Sequence, residues 1–257
     1  MKRFGVGSWT ILALAALYFI GPLVLTVVFS MWEGRGHYGF SAYGTLLARP
    51  NIISSLVVSV ELSLATCAAI VFLLVPAMIF MNLFVPRLRP LFEFIAALPF
   101  VVPAIALVAG LSALFTGPEW LIGTPFYLVI PYFFLALPYA YRGIDVGIRA
   151  LDLTTLTEAG LSLGAGMGQI IRLVVMPNLR SALVGSLLLT LAVVMGEFTF
   201  ANVLLFHTFA VLINEVGQNA PTEAAALSTL SFLITWVAMA GVLIVGRRGG
   251  APLAGAK

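Results

Sequence analysis

The chain has 257 residues, 61% of them hydrophobic and only 9% charged, with a mean hydropathy of +1.12. A soluble domain carries roughly a quarter of its residues as Asp, Glu, Lys or Arg, so this composition excludes a soluble globular protein and points to an integral membrane protein. The net charge of +3 and the single Cys67 argue neither for a nucleic-acid partner nor for a disulfide framework or cysteine-based metal site.

The apolar stretches run to about 20 residues or more without period-two alternation, which predicts membrane helices and not barrel strands. Six spans follow in chain order, in one domain covering residues 1–257. The first, Trp9 to Ser30, stands behind Lys2 and Arg3; it is longer than the h-region of a signal peptide and no A-x-A site follows. The second lies within Ile52 to Leu83, with Pro76 expected to bend it and Glu61 near its outer end. The third, Leu91 to Phe115, begins near Glu93, whose expected partners are Arg87 or Arg89. It contains Leu98-Pro99-Phe100-Val101-Val102-Pro103, where two prolines remove backbone donors and kink or interrupt the helix. In a membrane such a break is tolerated where the freed carbonyls line a cavity or meet another helix, so Pro99 and Pro103 are candidate pathway residues.

The fourth span, Ile122 to Tyr141, carries Pro131 and Pro138 among aromatic packing residues. The fifth, Ser181 to Leu205, holds Glu197 within Met195-Gly196-Glu197-Phe198-Thr199, with Asn202 just beyond. A charge at the bilayer centre costs at least about 2.5–3.5 kcal/mol, so Glu197 and Asn202 join the pathway candidates. Attraction of a cationic solute, pairing with another subunit, and packing or gating are all open roles for this carboxylate. The sixth span is Leu227 to Val245, and the Gly-Ala-rich tail from Gly249 to Lys257 reads as disordered.

With the N-terminus inside, eleven of the 13 basic residues lie on the cytoplasmic side: Lys2, Arg3, Arg87, Arg89, Arg142, Arg149, Arg172, Arg180, Arg247, Arg248 and Lys257. Only Arg35 and Arg49 fall outside, a strong positive-inside asymmetry. Both termini and the loop of about 143–180 are therefore expected in the cytoplasm. Within that loop Ile144, Ile148, Leu151 and Leu156 are spaced like one helical face. Thr154, Thr155 or Thr157 is expected to cap a helix with Glu158 near its N-terminus, and Gly164 with Gly166 to turn the chain. A second short helix, Gln169 to Met176, is expected to stop at Pro177. Two such short helices cannot bury their own apolar sides, so they need either a protein partner or the membrane surface.

This loop resembles the EAA loop of permease subunits in binding-protein-dependent ABC importers. The family pattern is E-A-A, three residues, G, nine residues, I-x-L-P; here Glu158, Ala159, Gly160, Gly164, Val174, Met176 and Pro177 stand at that spacing. Gly160 replaces the third-position Ala, and Val174 and Met176 replace Ile and Leu. The resemblance implies an all-α membrane protein with six transmembrane helices in the type I (MetI-like) importer permease fold. It also implies a coupling helix, with Glu158, Ala159, Gly160, Ser162, Leu163, Gly164 and Pro177, that docks on a separate ATPase. Arg149 and Asp152 read as ordinary solvated loop charges beside it.

A P-loop requires G-x-x-x-x-G-K-[ST], and the only lysines are Lys2 and Lys257. The chain is thus expected to be no enzyme, to bind no cofactor itself, and to leave ATP and Mg to its partner. The further partners implied are two ATP-binding subunits, a second and related permease chain, membrane lipid, and a periplasmic or extracellular solute-binding protein. That last partner would be received on Glu33 to Pro50 and Phe206 to Ala226. Two histidines, His37 and His207, make a metal site implausible. The location implied is the bacterial inner membrane. The Met-Gly-Glu-Phe-Thr string is similar to that of spermidine/putrescine-type permeases and of those for iron or phosphonate. An ATP-independent secondary transporter is the rival, but the paired broken halves common in such folds are not evident.

Overall fold

The computed structural model describes residues 6–49, 51–114 and 117–247. Lys2, Arg3, Pro50, Phe115, Arg248 and the tail from Gly249 to Lys257 lie outside the described residues. Helix α1 (Val6–Ser30) leads into a small antiparallel hairpin, β1 (Trp32–Gly34) and β2 (His37–Tyr38). Its turn takes Gly34, Arg35 and Gly36 through positive φ. Then come α2 (Ser41–Leu47), α3 (Asn51–Ala69), α4 (Val75–Phe84), α5 (Arg89–Val101), α6 (Ala104–Leu114) and α7 (Glu119–Ile122). The remaining helices are α8 (Val129–Arg149), α9 (Leu153–Ser162), α10 (Met167–Ile170), α11 (Met176–Met195), α12 (Thr199–Val203), α13 (Phe209–Asn219) and α14 (Pro221–Arg247).

Among the described residues, four helical runs are long and apolar enough to cross a membrane: Trp9–Ser30, Asn51–Phe84, Met167–Val203 and Pro221–Gly241. A fifth is the bent pair Pro86–Val101 and Ala104–Leu114. The predicted fourth span falls on α8, which starts later than expected, at Val129, and continues to Arg149. Its last two turns carry Arg142, Asp145 and Arg149, which lower its hydropathy.

Two of the long helices pass through proline without ending, by the same device. In α3–α4 a π-turn over Ile70–Leu74 precedes Val75-Pro76, and in α10–α11 one over Ile171–Val175 precedes Met176-Pro177. Val75 N–H donates to the Ile70 carbonyl and Met176 N–H to that of Ile171, closing i→i+5 rings. A wider turn relieves the clash of the proline ring with the carbonyl four residues back and absorbs the missing donor. Pro177 therefore does not stop a short helix before the fifth span, as the sequence suggested. The segment Gln169 to Met176 is instead the first part of one helical run that continues through Pro177 to Met195.

The prolines of the third span behave differently from each other. Pro99 lies inside α5, whereas Pro103 forces Val102 into an extended conformation (φ −85, ψ 121). The residue before a proline disfavours the helical region, so the helix breaks there. The two halves meet at 109°.

The chain forms two compact units, residues 1–54 with 211–236, and residues 55–210 with 237–257. In the first, Ser30 Oγ and the Tyr43 hydroxyl are 2.7 Å apart, and Arg49 pairs with Glu223 at 2.8 Å. The second contains a core of Ile70, Val75, Met78, Ile79, Ile144, Ile148, Val175 and Leu179. Its closest helix pair is α8 on α11. A Cβ placed on Gly143 would strike Ser186 Oγ, and one on Gly147 would strike Ala182 Cβ. Glycines at i and i+4 facing small residues at i and i+4 bring two backbones together, as in membrane helix pairs generally.

Candidate functional site

The predicted loop of 143–180 is mostly helix, with short connections at 150–152 and 163–166. Helix α9 is capped by Asp152, not by a threonine: its carboxylate accepts from Thr155 N–H at 3.1 Å and Thr155 Oγ1 at 2.6 Å. Asp152 is therefore not a free loop charge, and Glu158 sits in the middle of α9 instead of at its positive end. These Thr155 bonds, the hydroxyl foremost, hold the Asp152 carboxyl below its ordinary range. A depressed folded-state pKa contributes stability above the unfolded value, and that contribution is lost as pH falls through the folded value. The first turn of α9 is expected to loosen on acidification, and Asp152→Asn to flatten that dependence. Amide exchange at Thr155 against pH measures it.

The C-terminus of α9 is closed by glycine. Ala165 N–H donates to the Gly160 carbonyl and Gly164 N–H to that of Leu161, a Schellman pair that puts Gly164 at φ +80. Gly164→Val would have to hold a β-branched residue in the left-handed region, at about 1–2 kcal/mol or more. We expect a lower melting temperature for the detergent-solubilised protein and a redirected Leu163. The next helix starts at once, with Gln169 Oε1 accepting from Gly166 N–H at 3.0 Å.

One face of α9 is packed within the chain. Leu153 and Thr157 are buried, and Gly160 lies so close to Ile170 that an alanine there would collide with it. The glycine at position 160, where the loop pattern has alanine, is thus a packing choice, and the helix pair does bury an apolar side without a partner. Away from that stripe the segment is open: Glu158, Ala159, Leu161 and Ser162 on the helix, and Leu163 and Gly164 at its end, are all exposed. Leu163 is 88% exposed, and Glu158 has no ion pair among the described residues. Pro177 lies away from this face, inside the long helix.

The pathway candidates gather at helix breaks. The run from Met167 breaks at Gly196–Phe198, where Glu197 is buried. Its Oε1 accepts from Thr199 N–H at 2.7 Å, and both oxygens accept from Phe200 N–H at 3.1 Å. The carboxylate thereby satisfies the free amides at the start of α12. Leu205, at φ 61, closes the other end of α12, with Phe206 N–H on the Ala201 carbonyl. The half-helix α6, which follows the Pro103 break, packs against α12. The two broken spans thus meet through the half-helices that follow their breaks. Pro103 and Asn202 are exposed there and Pro99 is half-buried.

Two features escaped the sequence reading. Asp145 is buried on α8 between Arg89 at 2.7 Å and Arg149 at 2.7 Å. Glu93 pairs with Arg142 at 3.1 Å and Arg149 at 3.9 Å, and not with Arg87 or Arg89. Both the Asp145–Arg149 spacing and the Gly143-x-x-x-Gly147 pattern are readable in the sequence once α8 is known to extend to Arg149. In the first unit, the hairpin and the start of α14 frame a cleft of about 360 Å³ lined by Trp32, Glu33, Ser41, Thr45, Thr222 and Glu223. It joins two of the segments expected to form an external rim. No group of three or more potential metal ligands occurs among the described residues.

The family model for the binding-protein-dependent transport system inner membrane component matches residues 79–248, well over half of the chain. The chain belongs to this family. It is a multi-pass membrane permease of a transport system and not itself an enzyme, with the fold of the type I importer permeases. The matched region of the permease contains both helix breaks, the ion cluster and the α9 knob. No curated protein matches the permease closely enough to count as a relative.

Proposed function

We propose that this permease forms half of the translocation pathway of an ATP-driven importer and is driven through α9 by a separate ATP-binding subunit. The observation that carries the reading is the open face of α9. Its inner side is packed on the permease's own core, while Glu158 and Leu161, three residues apart, share one exposed flank and Leu163 is exposed just past the C-terminal end. Exposed leucines and a carboxylate on a helix capped at both ends suit insertion into a groove of a second protein. The two ends, Asp152 and Gly164, keep the helix from melting when loaded. ATP and Mg belong to that partner, and both termini face the cytoplasm, in keeping with the distribution of basic residues.

The two breaks at Pro103 and Gly196–Phe198 lie on the pathway, where rearrangement between inward- and outward-open states is easiest. Glu197 acts there as a structural cap for α12, because its oxygens are already engaged by backbone amides. The cargo is a small polar or charged solute of polyamine type, with iron chelates and phosphonates as the competing classes. A second permease of related sequence completes the pore, and the cleft between the hairpin and α14 faces a solute-binding protein. Copurification from mild detergent tests the drive: a tagged chain is expected to carry an ATP-binding subunit, and capture of none would sink the proposal. A thermal-shift screen of the solute-binding protein against polyamines, phosphonates and iron chelates tests the cargo.

A further inference from the structure

The cluster at the start of α5 and the end of α8 is an unbroken chain of alternating charge: Arg89, Asp145, Arg149, Glu93, Arg142. Arg89 Nη2 reaches Asp145 Oδ1 at 2.7 Å, and Arg149 Nε reaches Asp145 Oδ2 at 2.7 Å. Arg149 Nη2 is 3.9 Å from Glu93 Oε2, and Arg142 Nη1 is 3.1 Å from Glu93 Oε1. Each carboxylate oxygen thus meets one guanidinium, and the chain crosses between the two helices three times. Its buried member, Asp145, lies where breaking one partner leaves an uncompensated charge. Its outer half is exposed and adds little stability by itself.

The location matters more than the stability. Arg149 is the last residue of α8, and Asp152, three residues on, caps α9. Arg89 is the first residue of α5, whose other end is the 109° break. Beyond that break α6 packs on α12, whose first amides Glu197 caps. The main packing of α9 itself is on α4, α10 and the π-turn before Pro177, and not on α5 of the third span.

We propose that Arg89, Asp145, Arg149 and Glu93 are positioning residues that bind the third span to the α9 knob. Displacement of the knob then reaches the Pro103 break as motion of one rigid block. This rests on the driven role assigned to α9 above. Without the ion chain, α5 keeps only its apolar contacts with α8, through Ala96 and Phe92, and is expected to follow the knob less closely.

The test places spin labels at Thr154→Cys on α9 and Phe94→Cys on α5, both exposed, in a Cys67→Ser background. Distances are read in lipid nanodiscs for the complex, with and without ATP and vanadate, and for the permease purified without its ATPase. With the chain intact, the distance is expected to stay narrow and the same in both nucleotide states. Asp145→Asn is expected to broaden it about twofold and to make it nucleotide-dependent, and Asp145→Glu to restore it. If Asp145→Asn does not insert, Glu93→Gln removes only the exposed half of the chain and is expected to give a smaller broadening. A distance that shifts with nucleotide in the intact chain, or a width that neither variant changes, overturns the proposal. Failure to capture any ATPase would overturn the function above and leave the width measurement to decide the strut.

Discussion

Gly147→Leu is expected to abolish the folded permease. The position faces Ala182 and Leu179 across the α8–α11 contact, and even a Cβ there collides with the Ala182 methyl. A full leucine must push two membrane helices apart along the seam that also buries Ile144, Ile148 and Leu183. Overpacking of this kind costs about 3 kcal/mol or more, a large share of a marginal stability. The measurement is the yield of monodisperse protein by size-exclusion chromatography after mild detergent extraction. The pairing itself is tested by compensation: Gly147→Ala should lower the yield, and Gly147→Ala with Ala182→Gly should recover it. Wild-type yield for Gly147→Leu would show that the seam is not close-packed.

Leu163→Glu should leave insertion and thermal stability unchanged yet remove the ATP-binding subunit from the purified complex. The side chain is 88% exposed, so the permease itself loses no packing. In a docking groove the same leucine would be a buried anchor, and a charge there costs about 2 kcal/mol or more, about 30-fold in affinity. Glu158→Ala is expected to keep the complex but lower transport per ATP hydrolysed, since it deletes a charge and no apolar anchor. Retention of the ATPase by Leu163→Glu at wild-type level would move the docking surface elsewhere.

The glycine at position 160 shows how sequence and structure divide the work. By propensity a glycine inside a helix loosens it by about 1 kcal/mol, and from the residue alone it reads as a weak point. In the fold it is the contact that lets Ile170 close against α9. Pro177 is a similar case. Proline is a helix stop by its chemistry, but the π-turn over Ile171–Val175 lets the helix run through it. The same proline chemistry permits either a stop or a widened i→i+5 turn, and the residue alone does not say which is taken.

The multi-pass membrane character, most of the hydrophobic helices, an interruption somewhere in the segment 99–103 and the glycine turn at Gly164 were determined by sequence alone. Each depends on short-range chemistry: transfer free energy summed over a span, a missing N–H, or a φ that only glycine takes readily. Tertiary structure alone decided which charges pair, that Asp152 and not a threonine caps α9, and that Glu197 spends its oxygens on the amides of α12. It also decided which face of α9 is buried and which stays open. Those outcomes depend on where α5, α8 and α11 come to lie against one another. The segment first legible as a spacing of Glu158, Gly164 and Pro177 thus becomes a capped helix with an exposed side, a glycine turn and the start of a long helix, next to an α8 end joined to the third span by alternating charge.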